Sequence, residues 1–197
     1  MKALLKFEPK QEKKRLLFCN IGYMKDYKGN TEDDCIEGGG SFVDEEGYGH
    51  EVCNFVLETN KKNAFGYVQT SNNGQINIDR LGAEALDEYI RGVDIVFTAK
   101  HPEGGTVIIG FYLDAKVYRH YKQFKCTPDI YAENDINGYR ICALKENCFL
   151  IAPEERTFFI PRGCKGGIGQ SNVWYADTPE ARFTRRRVLK YIDAIAK

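Results

Sequence analysis

The stretch GVDIVFTAKHPEGGTVIIGFYLDAKVYR, residues 92–119, decides how this chain is read. Val93–Ala99 is dense in β-branched and aromatic residues, and Thr106–Tyr112 repeats that composition. Between them, His101-Pro102-Glu103-Gly104-Gly105 supplies turn formers. The pattern predicts two strands joined by a tight turn. Ala115–Arg119 continues the second strand beyond a bulge near Asp114. Gly110, alone among large apolar residues, predicts a bend or the close approach of another group.

Upstream, Leu16–Ile21 is a short apolar run that predicts a first buried strand, preceded by a polar lead-in over residues 1–13. The irregular segment Gly22–Gly49 is longer than a simple connection needs, and such loops are often functional. Glu51–Val56, Phe65–Thr70 and Gln75–Arg80 read as strands, with Asn72-Asn73-Gly74 as a hairpin turn between the last two. Ala83–Ile90 reads as one or two helical turns. Downstream, Gly138–Leu144 and Cys148–Ile151 read as a second hairpin, turning at Lys145-Glu146-Asn147. After the glycine-rich stretch Gly163–Gly169, Thr178-Pro179 opens a terminal helix over residues 178–196. Phe183, Val188, Ile192 and Ile195 fall near its core face, opposite Arg185, Arg186, Arg187 and Lys190. The expectation is one α+β domain over residues 1–197. It would be a mixed, mainly antiparallel twisted sheet or partly closed β-barrel with flanking helices.

Composition narrows the classes. With 43% hydrophobic and 13% aromatic residues among 197, the chain can bury a substantial core, which excludes wholesale disorder. No apolar run approaches the roughly 20 residues of a membrane helix, and no secretory signal is read, so a cytoplasmic location is expected. Seven cysteines are scattered without a CxxC pair, which predicts free buried thiols, with no zinc site and no cofactor. The zero net charge hides an asymmetry: Gly29–Asn60 holds nine acids and no Lys or Arg, whereas Met1–Lys28 carries eight basic residues against three acids. Lys165–Lys197 carries seven against three. If the two ends meet, they make a basic face for phosphates.

The 92–119 string is similar to the central hairpin of the PUA-like superfamily, above all its EVE and YTH branches, at Gly92, Asp94, Val96, Phe97, Ile109 and Gly110. LLFCNIGYMKDYKG (16–29) is compatible with the first strand and pocket-wall loop of those branches. The segments GGGSFVDEEGYGHEVCNF (38–55) and PRGCKGGIGQSNVWYAD (161–177) have no counterpart there. The resemblance implies recognition of a modified base, flipped or in place, in nucleic acid with DNA ahead of RNA, as the sensor of a restriction or defence system. Similar chains joined to HNH-type nuclease segments imply a nuclease effector domain or protein as a partner, although no such segment is read here.

A flipped base needs a stacking surface beside groups that bond its edge. Tyr23, Phe42, Phe111, Tyr112 and Trp174 are the candidate stackers. Asn20, Asp26 and Asn172 are the candidate edge-readers. Arg162 and Lys165, in a glycine-rich loop, and Arg185, Arg186 and Arg187 are candidate phosphate contacts. No catalytic residue is assigned, although His50-Glu51 has the make-up of an acid–base pair. Two rival readings stay open: a Mg²⁺-dependent nuclease using the acidic 32–46 segment, and a protein-interaction module that offers that segment to a basic partner. Gly38-Gly39-Gly40-Ser41 lacks the lysine of a P-loop.

Overall fold

A computed structural model describes residues 14–38, 49–57, 62–70 and 74–197. Asn72, Asn73, Phe42, Asp44, Glu45, Glu46, Gly39, Gly40, Ser41 and the 1–13 lead-in lie outside the described residues. The expected hairpin is the centre of the fold: β3 (Tyr89–Lys100) pairs antiparallel with β4 (Thr106–Gln123). β1 (Arg15–Asn20) runs parallel to β3 on its other side, so both strands end at the same edge of the sheet. The remaining strands are β2 (Asn63–Gly66), β5 (Gly138–Leu144), β6 (Cys148–Leu150), β7 (Phe159–Ile160) and β8 (Val173–Trp174). They complete a mixed sheet in the order β2-β5-β4-β3-β1-β8, with β6 and β7 also paired to β4. Among the described residues two helices accompany it, the short α1 (Asp129–Ala132) and the terminal α2 (Arg182–Ile195). The sheet is mostly antiparallel and open, so the α+β expectation holds but the barrel form does not.

β4 is the spine. One edge pairs with β3, while the other receives β7 at Thr106–Val107, β6 at Gly110–Tyr112 and β5 at Lys116–Gln123. β5 and β6 are therefore successive neighbours of β4 and not the predicted hairpin. Two irregularities in β4 are those its sequence announces. Asp114 adopts a left-handed φ of 50°, where the register with β3 slips between Val93 and Ile95. A Cβ on Gly110 would lie 2.4 Å from the Phe149 carbonyl oxygen and 2.6 Å from the Phe55 ring, so no side chain fits there.

Strand alternation divides the core into two layers. Leu17, Cys19, Ile95, Phe97, Ile109, Tyr112 and Val117 enter one cluster, which the loops carrying Tyr27, Val52, Phe55, Val68 and Ile76 cover. Leu16, Phe18, Val96, Ile108 and Phe111 enter the other, beneath α2. The helix docks through Thr184, Val188 and Ile192, spaced i, i+4, i+8. Phe183, expected on that face, is 70% exposed, because it lies one residue, or about 100° of helix, from Thr184.

Several short segments differ from expectation. Two predicted strands contain 3-10 turns instead, His50–Cys53 and Ile78–Leu81, so Gly74 joins no hairpin. Phe65–Thr70 keeps strand pairing only at its start, within β2, which pairs with β5. The predicted helical turns over 83–90 give way to β3, which begins at Tyr89 opposite Tyr118. All seven cysteines are free, but only Cys19, Cys53 and Cys148 are buried; Cys35, Cys126 and Cys164 are exposed.

Glu51 is buried in the first of these turns, where its carboxylate accepts the Gly22 N–H. Burial is the largest influence on it and raises its carboxyl above the ordinary range. A carboxyl that holds its proton more tightly when folded loses stability as pH rises from the unfolded value through the folded one. Glu51→Gln keeps the acceptor and removes that loss. The variant is expected to melt above the parent at about pH 8 and level with it at about pH 4, in thermal unfolding followed by circular dichroism.

A candidate ligand cleft at the end of β1

The topology gathers polar residues at one edge of the sheet. β1 and β3 both finish there, at Asn20 and Lys100, and β4 starts there at Thr106. β7 pairs with the first two residues of β4, and the chain then leaves through Arg162. β8 pairs with Phe18 and Cys19 near the end of β1, placing Asn172 beside Asn20, whose N–H donates to the Asn172 carbonyl at 2.7 Å. Between these ends lies a cleft of about 740 Å³, within the range of small-molecule sites. Asn20, Gln170 and Asn172 offer carboxamides, Lys100 and Arg162 offer cations, and no carboxylate is among its described lining residues.

Arg162 Nη1 donates to Asn20 Oδ1 at 2.9 Å, tying the guanidinium to an asparagine that is only 8% exposed. The bond fixes the asparagine carboxamide and turns the remaining guanidinium donors to solvent. Behind Arg162 the glycine-rich loop closes on itself, with Gly163 N–H donating to the Ile168 carbonyl and Ile168 N–H to that of Pro161, each at 2.8 Å. Its far side rests on the approach to α2: a Cβ on Gly166 would meet the Glu180 carbonyl at 2.4 Å, and the Thr184 hydroxyl donates to the Gly166 carbonyl at 3.3 Å. The loop thus spans from the cleft to the helix, with Lys165 exposed upon it.

The segment entering β8 alternates like a strand. Gln170 and Asn172 face this cleft, whereas Ser171, Val173 and Tyr175 line a second, of about 330 Å³, with Thr70 and Arg80. Arg80 is already engaged there, by two bonds to Asp177 at 2.9 and 2.7 Å and by the Tyr175 ring 4.0 Å away.

Of the residues expected to form a base pocket, Asn20 and Asn172 come together, and Arg162 joins them. Phe111 and Tyr112 do not: both are fully buried, on opposite sides of the sheet. Phe111 stacks on Phe149 at 4.9 Å, and the Tyr112 hydroxyl donates to the Asn54 carbonyl. As successive residues of a central strand they cannot line one concavity. Trp174 leans on Phe18 at 4.7 Å in the layer beneath α2, away from the cleft. Tyr23 is half-buried, edge-on to His101 at 5.7 Å and beneath the Arg156 guanidinium at 5.1 Å. Asp26 is exposed in a turn that Asp34 organises by accepting the N–H groups of Lys25 and Asp26 at 2.7 and 2.8 Å.

The C-terminal arginines separate too. Arg185 and Arg186, with Arg182, line a groove of about 420 Å³ at the start of α2, whereas Arg187 lies over the Phe158 ring at 4.8 Å. The two basic ends of the chain do meet, since Arg185 donates to the Lys14 carbonyl and Lys14 pairs with Asp193 at 3.0 Å. Lys100 and Gln170 were not singled out in the sequence. Nothing in their neighbourhood marks them until the parallel β1–β3 pairing and the return at β8 are known.

His50 and Glu51 do not form a dyad. The histidine ring packs 4.9 Å from Tyr67, while the Glu51 carboxylate bonds Gly22. Burial, reinforced by the nearby Arg140 charge, lowers the His50 pKa and keeps the ring neutral. Among the described residues no three His, Cys, Asp or Glu side chains are grouped to hold a metal ion, and no helix is long and apolar enough to cross a membrane. No protein-family model matches the chain, and no curated protein or solved structure resembles it significantly.

Proposed function

We propose that this chain is a nucleic-acid-binding domain that takes a base, in its modified form, into the cleft at the end of β1. The observation that carries the reading is the Arg162–Asn20 pair at a cleft whose described lining offers three carboxamides, two cations and no carboxylate. Carboxamides both donate and accept, which suits the mixed edge of a base, while Lys100 and Arg162 suit the phosphates that flank it. The resemblance of the 92–119 hairpin to PUA-like base readers points the same way. Among the described lining residues the Arg162 guanidinium plane and the backbone at Gly38 and Gly105 offer surfaces for stacking, and no aromatic ring does.

The test is a binding panel of unmodified, methylated, hydroxymethylated and glucosylated oligonucleotides, with and without Mg²⁺. Tighter binding of one modified oligonucleotide, without cleavage, is the expected result. Cleavage that requires Mg²⁺ would instead assign the acidic 32–46 segment a catalytic role. Silence on both counts would favour a protein-interaction module.

A further inference from the structure

Among the described residues, α2 covers only part of its side of the sheet. Ile90 and Val117 enter the opposite core layer, so strand alternation turns Tyr89, Arg91, Lys116 and Tyr118 to the α2 side. None of the four belongs to the cluster beneath α2. Tyr89 and Tyr118 are direct cross-strand partners with ring centroids 5.8 Å apart, and Tyr89 is 40% exposed. The ring series runs on to Tyr139, 5.6 Å from Tyr118, whose further neighbour Phe65 already packs against the opposite core layer. Cations are threaded through it. Lys116 Nζ lies 3.5 Å from the Tyr89 ring centre and 4.4 Å from that of Tyr118, and the Arg91 guanidinium lies 5.5 Å from Tyr89.

We infer that this open half of the sheet is a platform for single-stranded nucleic acid, with bases stacking on the tyrosines and phosphates meeting Lys116 and Arg91. Tilted and edge-to-face rings along a sheet, with cations beside them and no carboxylate among these described residues, suit a single strand in both shape and charge. A duplex hides its base faces and offers the rings nothing to stack on. A second copy of this chain would bring the same cations against themselves. The inference rests on the nucleic-acid reading above, but it places sequence-tolerant affinity on the sheet and discrimination in the cleft.

Fluorescence anisotropy with a labelled thymidine homo-oligonucleotide and a matched duplex tests it on the full chain, with melting curves alongside. The wild type is expected to prefer the single strand. Tyr89→Ala should weaken that binding roughly five- to a hundredfold, the range for losing one stacked base. Lys116→Gln should lower the slope of log K against log salt by about 0.7, one phosphate contact on a single strand. Tyr89 is exposed and Lys116 half-buried, neither in a core cluster, so folding is expected to survive, and preference for a modified base should be unchanged in both variants. Single-strand binding that neither variant alters would overturn the platform and leave the cleft reading standing. A wild type that binds modified oligonucleotides only as duplex would do the same. No nucleic-acid binding of any kind would overturn both. A dimer in light scattering that Tyr89→Ala dissociates would show a second copy to be the occupant, against the inference.

Discussion

Arg156→Met is expected to lower the unfolding midpoint by about 10–20 °C, the largest stability effect among the positions considered. Arg156 is the largest fully buried side chain, at 2% exposure. Its donors are spent on backbone: Nε on the Ile151 carbonyl at 2.9 Å, Nη1 on Met24 at 2.6 Å and Nη2 on Lys25. The guanidinium thus stitches the segment after β1 to the one after β6, two stretches that no strand pairing joins. Methionine fills much of the volume but leaves three carbonyls without this donor, at about 1–3 kcal/mol for each one that stays dry. A total of about 3–6 kcal/mol, at about 2–4 °C per kcal/mol for a chain of this size, gives the stated range. Arg156→Lys should fall between the two, because an ammonium retains the charge but not the planar fork. A methionine variant melting within about 3 °C of the parent would show that water or local shifts replace the donor, and the stitch would lose its importance.

How far the fold could be read in advance depended on whether a signal was local. The β3–β4 hairpin was legible because its strands are dense in β-branched residues around an unmistakable turn, and Gly110 and Asp114 marked the places where β4 departs from regularity. Partner choice was not legible. The periodicity of Gly138–Leu144 and Cys148–Leu150 says strand, but only the length of β4 shows that both can share one of its edges. Short apolar runs such as Glu51–Val56 bury Val52 and Cys53 equally well from a 3-10 turn, and no periodicity separates the alternatives over so few residues. The site followed the same rule. Asn20 and Asn172 stood out as polar residues at the ends of apolar runs, and Arg162 as a cation entering a glycine loop. Phe111 and Tyr112 were misassigned because an aromatic pair in a predicted central strand is first of all a core signal.

Asn20→Asp is expected to weaken oligonucleotide binding by about thirty- to a thousandfold while leaving the protein as stable as the parent. The substitution is nearly isosteric. An aspartate keeps the acceptor that Arg162 bonds at 2.9 Å and turns that hydrogen bond into an ion pair, which offsets the cost of placing a charge at this nearly buried position. The cleft loses a great deal. A carboxylate enters a lining with none among its described residues, it neutralises one of the two described cations, and the carboxamide donor disappears. Setting like charge against an anionic ligand costs several kcal/mol, and about 2–4 kcal/mol corresponds to the stated loss. Trp174→Ala makes the converse control. Its ring packs on Phe18 beneath α2, so the variant should melt earlier by about 1–3 kcal/mol of stability and still prefer the oligonucleotide that the parent prefers. Both variants belong in one titration series against modified and plain strands. Should Asn20→Asp bind every oligonucleotide as the parent does while Trp174→Ala erases the preference, recognition would lie on the α2 side of the sheet, and the cleft at the end of β1 would hold no base.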